Sequence, residues 1–225
     1  MKVLILAGGR GSRVKSYYPN TIKPLVPILG KPILDILLNQ LKDFEVFINI
    51  NKEDSEKLKQ YSNRVKFLIE EKRMGKAQPI REMLEKYNED ILVIHCDVFT
   101  DLDFKRFVEK TANSKELMTM AVRNISKGKA FGVAVFDEHK KVYGFTRERF
   151  VNTGIYLVRP GVKDYIKKEL YQDIDADLFP KLIKDKVLGV YIHSGSWFDV
   201  GTQRVLEKFD KNKKEKSNGK LYHKS

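Results

Sequence analysis

An apolar run that stops abruptly in glycine does most to limit the folds open to this chain. Val3-Leu4-Ile5-Leu6-Ala7 gives way to Gly8-Gly9-Arg10-Gly11-Ser12-Arg13, and ten positions past that last arginine comes Lys23-Pro24. Glycines let backbone N–H groups approach a phosphate closely, because no Cβ stands in the way. Arg13 and Lys23 supply fixed positive charge for the same polyphosphate. The loop is not a Walker sequence, since no Gly-Lys-Ser/Thr follows at the right spacing. Nor is it a dinucleotide fingerprint, because Val14 stands where the third glycine belongs.

Beyond this loop, short apolar runs alternate with amphipathic stretches, which argues for βαβ units and an α/β fold: a Rossmann-like, mostly parallel twisted sheet flanked by helices. Strands are predicted at Lys2–Leu6, Val46–Ile50, Val65–Leu68 and Ile91–Ile94, and helices at Ile33–Leu41, Ser55–Tyr61 and Ala77–Tyr87. A second set of strands follows at Leu117–Val122, Gly132–Phe136, Val142–Phe145, Val151–Val158 and Val187–Ile192. Helices are expected at Asp103–Thr111, Val162–Lys168 and Gln203–Phe209. With short linkers and no internal repeat, the expectation is one domain over residues 1–209. Its first half (1–112) would bind nucleotide and its second (113–209) sugar, with a basic, disordered tail at 210–225.

Composition narrows the classes further. The 225 residues are 42% hydrophobic, enough for a sizeable core, and no apolar run reaches the length of a membrane span. The start runs directly into a strand, so no secretory signal is expected, and the single cysteine, Cys96, fits a cytoplasmic setting. The net charge of +13 has two readings, a nucleic-acid footprint or a basic surface that attracts small polyanions. Much of the excess lies between Lys208 and Lys224, and the second reading is preferred: no nucleic acid, no membrane, and a homo-oligomer left open. Four scattered histidines and one cysteine give no zinc spacing.

Taken whole, Leu6 to Pro32 resembles the signature of the sugar-1-phosphate nucleotidylyltransferases. That family carries Leu-Ala-Gly-Gly-x-Gly-Thr-Arg, a Lys-Pro ten residues past the arginine, and a Gly-Lys-Pro. These read here Leu6-Ala7-Gly8-Gly9-Arg10-Gly11-Ser12-Arg13, Lys23-Pro24 and Gly30-Lys31-Pro32. Asp97 ends the apolar run Ile91–Ile94, and Asp199 sits in Trp197-Phe198-Asp199-Val200-Gly201-Thr202. Alone, each reads as readily as a cap or turn carboxylate. In the resembling family two such aspartates jointly ligate a metal, so the resemblance implies Mg²⁺ at Asp97 and Asp199, although Cys96 replaces the usual glycine before Asp97. His95 and Cys96 themselves read as packing residues.

The implied reaction is attack by a sugar-1-phosphate oxygen on the α-phosphorus of a nucleoside triphosphate, releasing pyrophosphate. A phosphate monoester is already an anionic nucleophile, so the demand is for alignment and charge neutralisation rather than a base. Arg13, Lys23, Asp97 and Asp199 are the implied catalytic set, and Leu6, Ala7, Gly8, Gly9, Gly11, Ser12, Arg13, Glu70 and Gly75 the implied nucleotide-binding set. Gly75 opens Gly75-Lys76-Ala77-Gln78, a departure from the family's Gly-Thr-Ala-Gly; counting back from it puts Glu70, or Glu71 after a slip of register, at the base edge. A carboxylate there accepts two guanine N–H groups and leans toward GTP.

For the sugar phosphate the resemblance implies Gly132, Glu148, Arg149 and Asn152, with Arg147 a rival for the phosphate. The compact form resembles members acting on heptose-, mannose- or aminosugar-1-phosphates, with no room expected for an appended β-helix or acyltransferase domain. Two alternatives stand beside this reading. One is a cytidylyltransferase acting on a polyol phosphate such as inositol 1-phosphate; the other is a nucleotide-sugar-binding regulatory subunit that has lost catalysis.

Overall fold

Successive side chains of a strand point to opposite faces, and in the first strand both faces are covered. In the computed structural model, which describes residues 1–9, 11–125, 133–136, 139–146, 150–202 and 205–209, β1 (Lys2–Leu6) sends Val3 and Ile5 into one apolar cluster and Leu4 and Leu6 into another. The next strand, β4 (Glu45–Asn51), divides likewise, with Val46, Ile48 and Ile50 against Phe47. In β6 (Ile91–His95), Leu92 and Ile94 oppose Ile91 and Val93. Such strands read as continuous apolar runs because neither face meets water.

Between β1 and β4 lie a helical turn, α1 (Ser12–Lys15), and a small hairpin, β2 (Pro27–Ile28) with β3 (Lys31–Pro32). Leu29 and Gly30 at its tip both have positive φ, as a two-residue primed turn requires. Helix α2 (Ile33–Gln40) buries Ile33, Leu34, Leu37 and Leu38 as one stripe on the first cluster, and α5 (Phe104–Thr111) adds Phe104 and Phe107 there. Asp103 caps α5, accepting the Arg106 N–H at 3.0 Å. On the other face, α4 (Gln78–Tyr87) packs Ile80, Met83 and Leu84, and α6 (Phe179–Lys184) packs Phe179 and Leu182. No described helix is long and apolar enough to cross a membrane.

The sheet's order fixes where a ligand can sit. β5 (Lys66–Glu70), β4, β1 and β6 are parallel neighbours in that order. The chain runs outward from β1 through β4 to β5 and then returns to β6 on the other side of β1, so a switch point opens beyond the carboxyl ends of β1 and β6. The second half inserts β11 (Phe150–Val158) antiparallel to β6; β8 (Met118–Asn124) pairs antiparallel to β11, and β12 (Leu188–His193) parallel to β8. β9 (Val133–Phe136) and β10 (Val142–Thr146) form an antiparallel pair attached at Val151. β7 (Val98–Thr100) and β13 (Trp197–Asp199) make a separate two-stranded ribbon beside the switch point.

The mostly parallel α/β sheet expected from the sequence is the architecture observed, with local corrections. Ser55–Tyr61 is not one α-helix. Asn51 caps a short turn, α3 (Lys52–Ser55), by accepting the Asp54 N–H at 2.9 Å, and Glu56–Tyr61 continues as 3₁₀ helix. Its buried pair, Leu58 and Tyr61, is three apart, which suits three residues per turn. Residues 162–168 are likewise not an α-helix: a 3₁₀ turn spans Pro160–Tyr165, and Ile166 is already extended. A wide turn at Ile174–Leu178 feeding α6 was unexpected, because Asp175 and Asp177 interrupt the apolar spacing and Pro180 lies inside the helix's first turn, where its missing N–H costs nothing.

Candidate active site

Leu6 and His95 are register partners, and the chain leaves both strands side by side at the switch point. The backbone ties the exits together, Cys96 N–H donating to the Leu6 carbonyl at 3.2 Å and Ala7 N–H to that of Asn49 at 2.9 Å. The glycine loop and Asp97 therefore open into one cavity of about 1070 Å³, ample for a nucleotide and a second small substrate. Leu6, Gly8 and Gly9 line it, Ala7 is buried behind them, and Gly11 and Ser12 carry the loop into α1.

Gly11 sits at φ +62°, a conformation that favours glycine. A Cβ on Gly9 would lie 4.0 Å from the Lys23 Nζ, so Lys23 runs close along the loop. Lys23 Nζ donates to Asp97 Oδ2 at 2.8 Å, with only 21% and 13% of the two side chains exposed. Burial alone would push the Asp97 carboxyl up, but Lys23 and His95 hold it below the usual carboxylate range. Burial opposes the Lys23 charge as well, and Asp97 above all keeps its ammonium pKa above the ordinary value. Both groups are charged.

Asp199 arrives from the other strand of the ribbon, paired in register with Val98, and the Val200 N–H donates to the Asp97 carbonyl at 2.9 Å. A Cβ on Gly201 would meet Asp199 Oδ1 and Asp97 Oδ2, each at 2.9 Å. Two carboxylates thus converge over one glycine from chain positions a hundred residues apart. Hard oxygen donors of this kind suit Mg²⁺, which takes one or two carboxylates and completes its shell with water and phosphate. Among the described residues no cluster of three or more candidate ligands occurs, so a metal here would take its remaining oxygens from water or a substrate.

At the edge beyond Gly8, a Cβ would lie 2.5 Å from Glu70 Oε2 and 2.9 Å from Asn49 Oδ1, so the missing side chain is what lets the Glu70 carboxylate lie against the loop. Glu70 lines the cavity; Glu71 points away and pairs with exposed Lys52 at 3.0 Å. Burial raises the Glu70 pKa, Asn49 beside it pulling the other way. Gly75 also lines the cavity, at φ +84°, and a Cβ there would stand 2.1 Å from the Gln172 carbonyl oxygen. Its immediate task is to let the segment at Gln172 dock.

The far end of the cavity is shaped by an irregularity in β11. Asn152 pairs with Val122 but Tyr156 with Met120, so the longer span on β11 bulges. Gly154, at φ +74°, passes so close to His95 that a Cβ would lie 2.9 Å from its ring. The bulge is held by Thr153 donating to the Ala121 carbonyl at 2.7 Å and by Trp197 Nε1 donating to that of Thr153 at 2.9 Å. Asn152 faces the cavity, its Nδ2 donating to the Tyr156 hydroxyl at 2.9 Å and its Oδ1 accepting the Gly154 N–H. Gly132, Glu148, Arg149 and the rival Arg147, together with the side chain of Arg13, lie outside the described residues, as does the tail at 210–225.

Several cavity residues escaped the sequence reading as site residues. His95 does pack, edge-on to Tyr156 at 5.7 Å, but it also lines the cavity, and burial drives its pKa down to about 4. Arg73, Asp173 and Asp175 line it too. Lys76, which had no assigned role, reaches Asp175 at 2.7 Å and Asp173 at 3.3 Å.

A parallel sheet with a glycine loop, a lysine and two acidic side chains at its switch point defines a phosphate-handling α/β protein. Comparison with known proteins gives the class a name. The sequence profile of the nucleotidyl transferase family matches residues 2–216, and the chain belongs to that family. It is 29% identical over 219 residues to the mannose-1-phosphate guanylyltransferase catalytic subunit beta of Drosophila melanogaster, covering 89% of this chain and 59% of that protein. It is 28% identical over 234 residues to the UTP–glucose-1-phosphate uridylyltransferase of Synechocystis, covering 89% and 60%. The chain thus spans about 60% of the length of these curated relatives. Its fold is shared with the crystal structure of HddC from Yersinia pseudotuberculosis, with a TM-score of 0.81 at 22% identity over 94% of this chain and 98% of that one.

Proposed function

We propose that this chain transfers a nucleotidyl group from a nucleoside triphosphate to a sugar 1-phosphate, giving a nucleoside-diphosphate sugar and pyrophosphate. The observation that carries the proposal is the meeting of the glycine loop, Lys23, Asp97 and Asp199 at one end of a cavity that continues to Asn152. A phosphate oxygen of the sugar 1-phosphate forms the new bond to the α-phosphorus. The bond from that phosphorus to the bridging oxygen breaks, and its electron pair leaves with pyrophosphate.

The loop amides and Lys23 draw two mutually repelling anions to one place and hold them in line. Asp97 keeps the Lys23 ammonium aimed into the cavity until phosphate competes for it. The family resemblance assigns Arg13 to the triphosphate as well. Asp97 and Asp199 are the residues that would hold Mg²⁺, and the bound ion would neutralise charge on the triphosphate.

Glu70 is the reading's handle on the base. A carboxylate against Gly8 can accept both the ring N–H and the amino group of guanine, which favours GTP. The relatives named for mannose 1-phosphate and glucose 1-phosphate support a hexose 1-phosphate as acceptor. The test is a pyrophosphate-release screen of four triphosphates against a set of sugar 1-phosphates with Mg²⁺. Release that needs both substrates is expected, fastest with GTP. Tight nucleotide-sugar binding without turnover would instead make the chain a regulatory subunit.

A further inference from the structure

Asp199 reaches the cavity on a ribbon that stands apart from the main sheet. Among the described residues β7 and β13 pair only with each other, in a register of three residues against three. A two-stranded ribbon is marginal alone and takes its position from what surrounds it. Its far end is pinned by Asp101, whose Oδ1 accepts the Ser196 N–H at 2.8 Å and lies 3.0 Å from His193 Nε2. Its cavity side is tied to β11 by the bond from Trp197 Nε1 to the Thr153 carbonyl. Trp197 and Asp199 line the cavity, and Phe198 between them points to the other side.

That other side is closed by a single aromatic ring. Phe99 is the register partner of Phe198, and Phe209 stands edge-on to both, with ring centroids 5.2 Å and 5.6 Å away. Phe209 is buried, and Leu206 beside it in the same helical turn, residues 205–209, is buried as well. This turn springs from Asp199 itself. Gly201 N–H donates to Asp199 Oδ1 at 2.8 Å and Thr202 Oγ1 to the Asp199 carbonyl at 3.1 Å. The N–H groups of Val205 and Leu206 then donate to the Thr202 carbonyl, each at 3.1 Å. The chain thus leaves the carboxylate, makes one helical turn and comes back onto the rear of the strand that carries it.

Resting on the activity and metal site proposed above, we infer that Phe209 is a positioning residue for Mg²⁺: by bracing Phe99 and Phe198 from behind, it sets where Asp199 stands relative to Asp97. It touches neither substrate nor metal and acts through the ribbon. The two carboxylates converge over Gly201, within 2.9 Å of one point, so a displaced ribbon separates them. Mg²⁺ accepts only near-ideal octahedral geometry, so a displaced carboxylate is a lost ligand.

The test measures equilibrium binding of GTP to the full chain, once with Mn²⁺ and once with a chelator in place of the metal. Mn²⁺ is the probe because it shares the octahedral oxygen chemistry of Mg²⁺. Binding is read from the fluorescence of Trp197, the chain's single tryptophan. The wild type is expected to bind GTP more tightly with Mn²⁺, and Phe209→Ala to shrink that gain about 10- to 100-fold, the usual effect of removing a group that orients a metal ligand. Phe209→Leu keeps part of the contact and should shrink it about 3- to 10-fold; it decides the matter should the alanine variant fail to melt cooperatively. Affinity for metal-free GTP should stay within about threefold of the wild type. Leu84→Ala, a truncation in the other apolar cluster, should lower the melting temperature and leave the metal gain intact. In an Asp199→Asn background, Phe209→Ala should cause no further loss, because its effect passes through that carboxylate. An unchanged metal gain in the folded Phe209 variants overturns this inference alone. So does an equal loss of metal-free GTP binding, an equal loss in Leu84→Ala, or a further loss beyond Asp199→Asn. No metal gain in the wild type overturns it together with the metal site proposed above. A wild type that shows the gain but releases no pyrophosphate with any sugar phosphate overturns only the reaction.

Discussion

The two ends of the cavity each carry a lysine–aspartate pair, at 2.8 Å for Lys23–Asp97 and 2.7 Å for Lys76–Asp175, yet their surroundings give them opposite characters. Lys23–Asp97 is largely shut from water, lies along a glycine loop and converges with a second carboxylate over Gly201. Lys76–Asp175 is open, is joined by a second carboxylate that leaves it net negative, and rests on loops held by backbone bonds. The same two residue types are enclosed beside a glycine loop in one place and left open beside a second carboxylate in the other. The setting decides, not the residue types.

That contrast can be broken most forcefully at the closed end. Lys23→Ala is expected to lower pyrophosphate release by about 10²–10³, the usual loss when one charge-stabilising group is removed. Turnover near the wild-type level would remove Lys23 from the mechanism. A smaller effect is expected on stability from Gly75→Ala. The backbone conformation alone costs about 1–3 kcal/mol, before the clash with the Gln172 carbonyl is counted. Thermal unfolding should fall by about 2–4 °C per kcal/mol in a chain of this size. An unchanged melt would mean that the 74–77 and 172–175 segments are not locked as described.

Acid separates the two ends by sign. Burial holds the Glu70 pKa above its ordinary 4.5, so keeping it ionised at neutral pH opposes folding, and that opposition fades as pH falls through the raised value. Glu70→Gln should therefore be more stable than the wild type at pH 7, with the difference gone below about pH 4.5. It should also shift base preference from GTP toward UTP, because an amide matches uracil better than guanine. Burial pushes the Asp175 carboxyl up as well, but Lys76 holds it below its ordinary 3.8. Its contribution is present above that value and lost as pH falls through the lowered one. Stability curves of Glu70→Gln and Lys76→Met against pH would show both trends, and parallel curves would refute the assignment. The smallest effect belongs to Glu71→Ala, whose pair with Lys52 is exposed; stability should move by less than about 0.5 kcal/mol and base preference not at all.

Residues in the sequence made one end of this cavity far more legible than the other. β1 and β6 were readable because Val3–Leu6 and Ile91–Ile94 are unbroken apolar runs, and the glycine loop because its demands on the backbone are local. Asp97 and Asp199 were singled out by the motifs they share with the resembling family, since by position alone each reads as readily as a cap or turn carboxylate. Lys76, Asp173 and Asp175 gave no such signal, since their significance lies in contacts between segments about a hundred residues apart. The choice of Glu70 over Glu71 needed the end of β5 in space. Gly75 marked a loop that lines the cavity, but Gln172, which fills the room it leaves, could not be named from its neighbours in sequence. His95 looked like strand packing; its place in the cavity lining and a buried Nε2 with no hydrogen-bond partner among the described residues distinguish it.

The most direct test of the central claim follows pyrophosphate and nucleoside-diphosphate sugar together, from GTP and a panel of hexose 1-phosphates with Mg²⁺. The account predicts equal amounts of the two products, formed only when both substrates are present and abolished by chelation of the metal. Pyrophosphate formed without a sugar phosphate, or no turnover with any triphosphate and sugar phosphate in the panel, would contradict it.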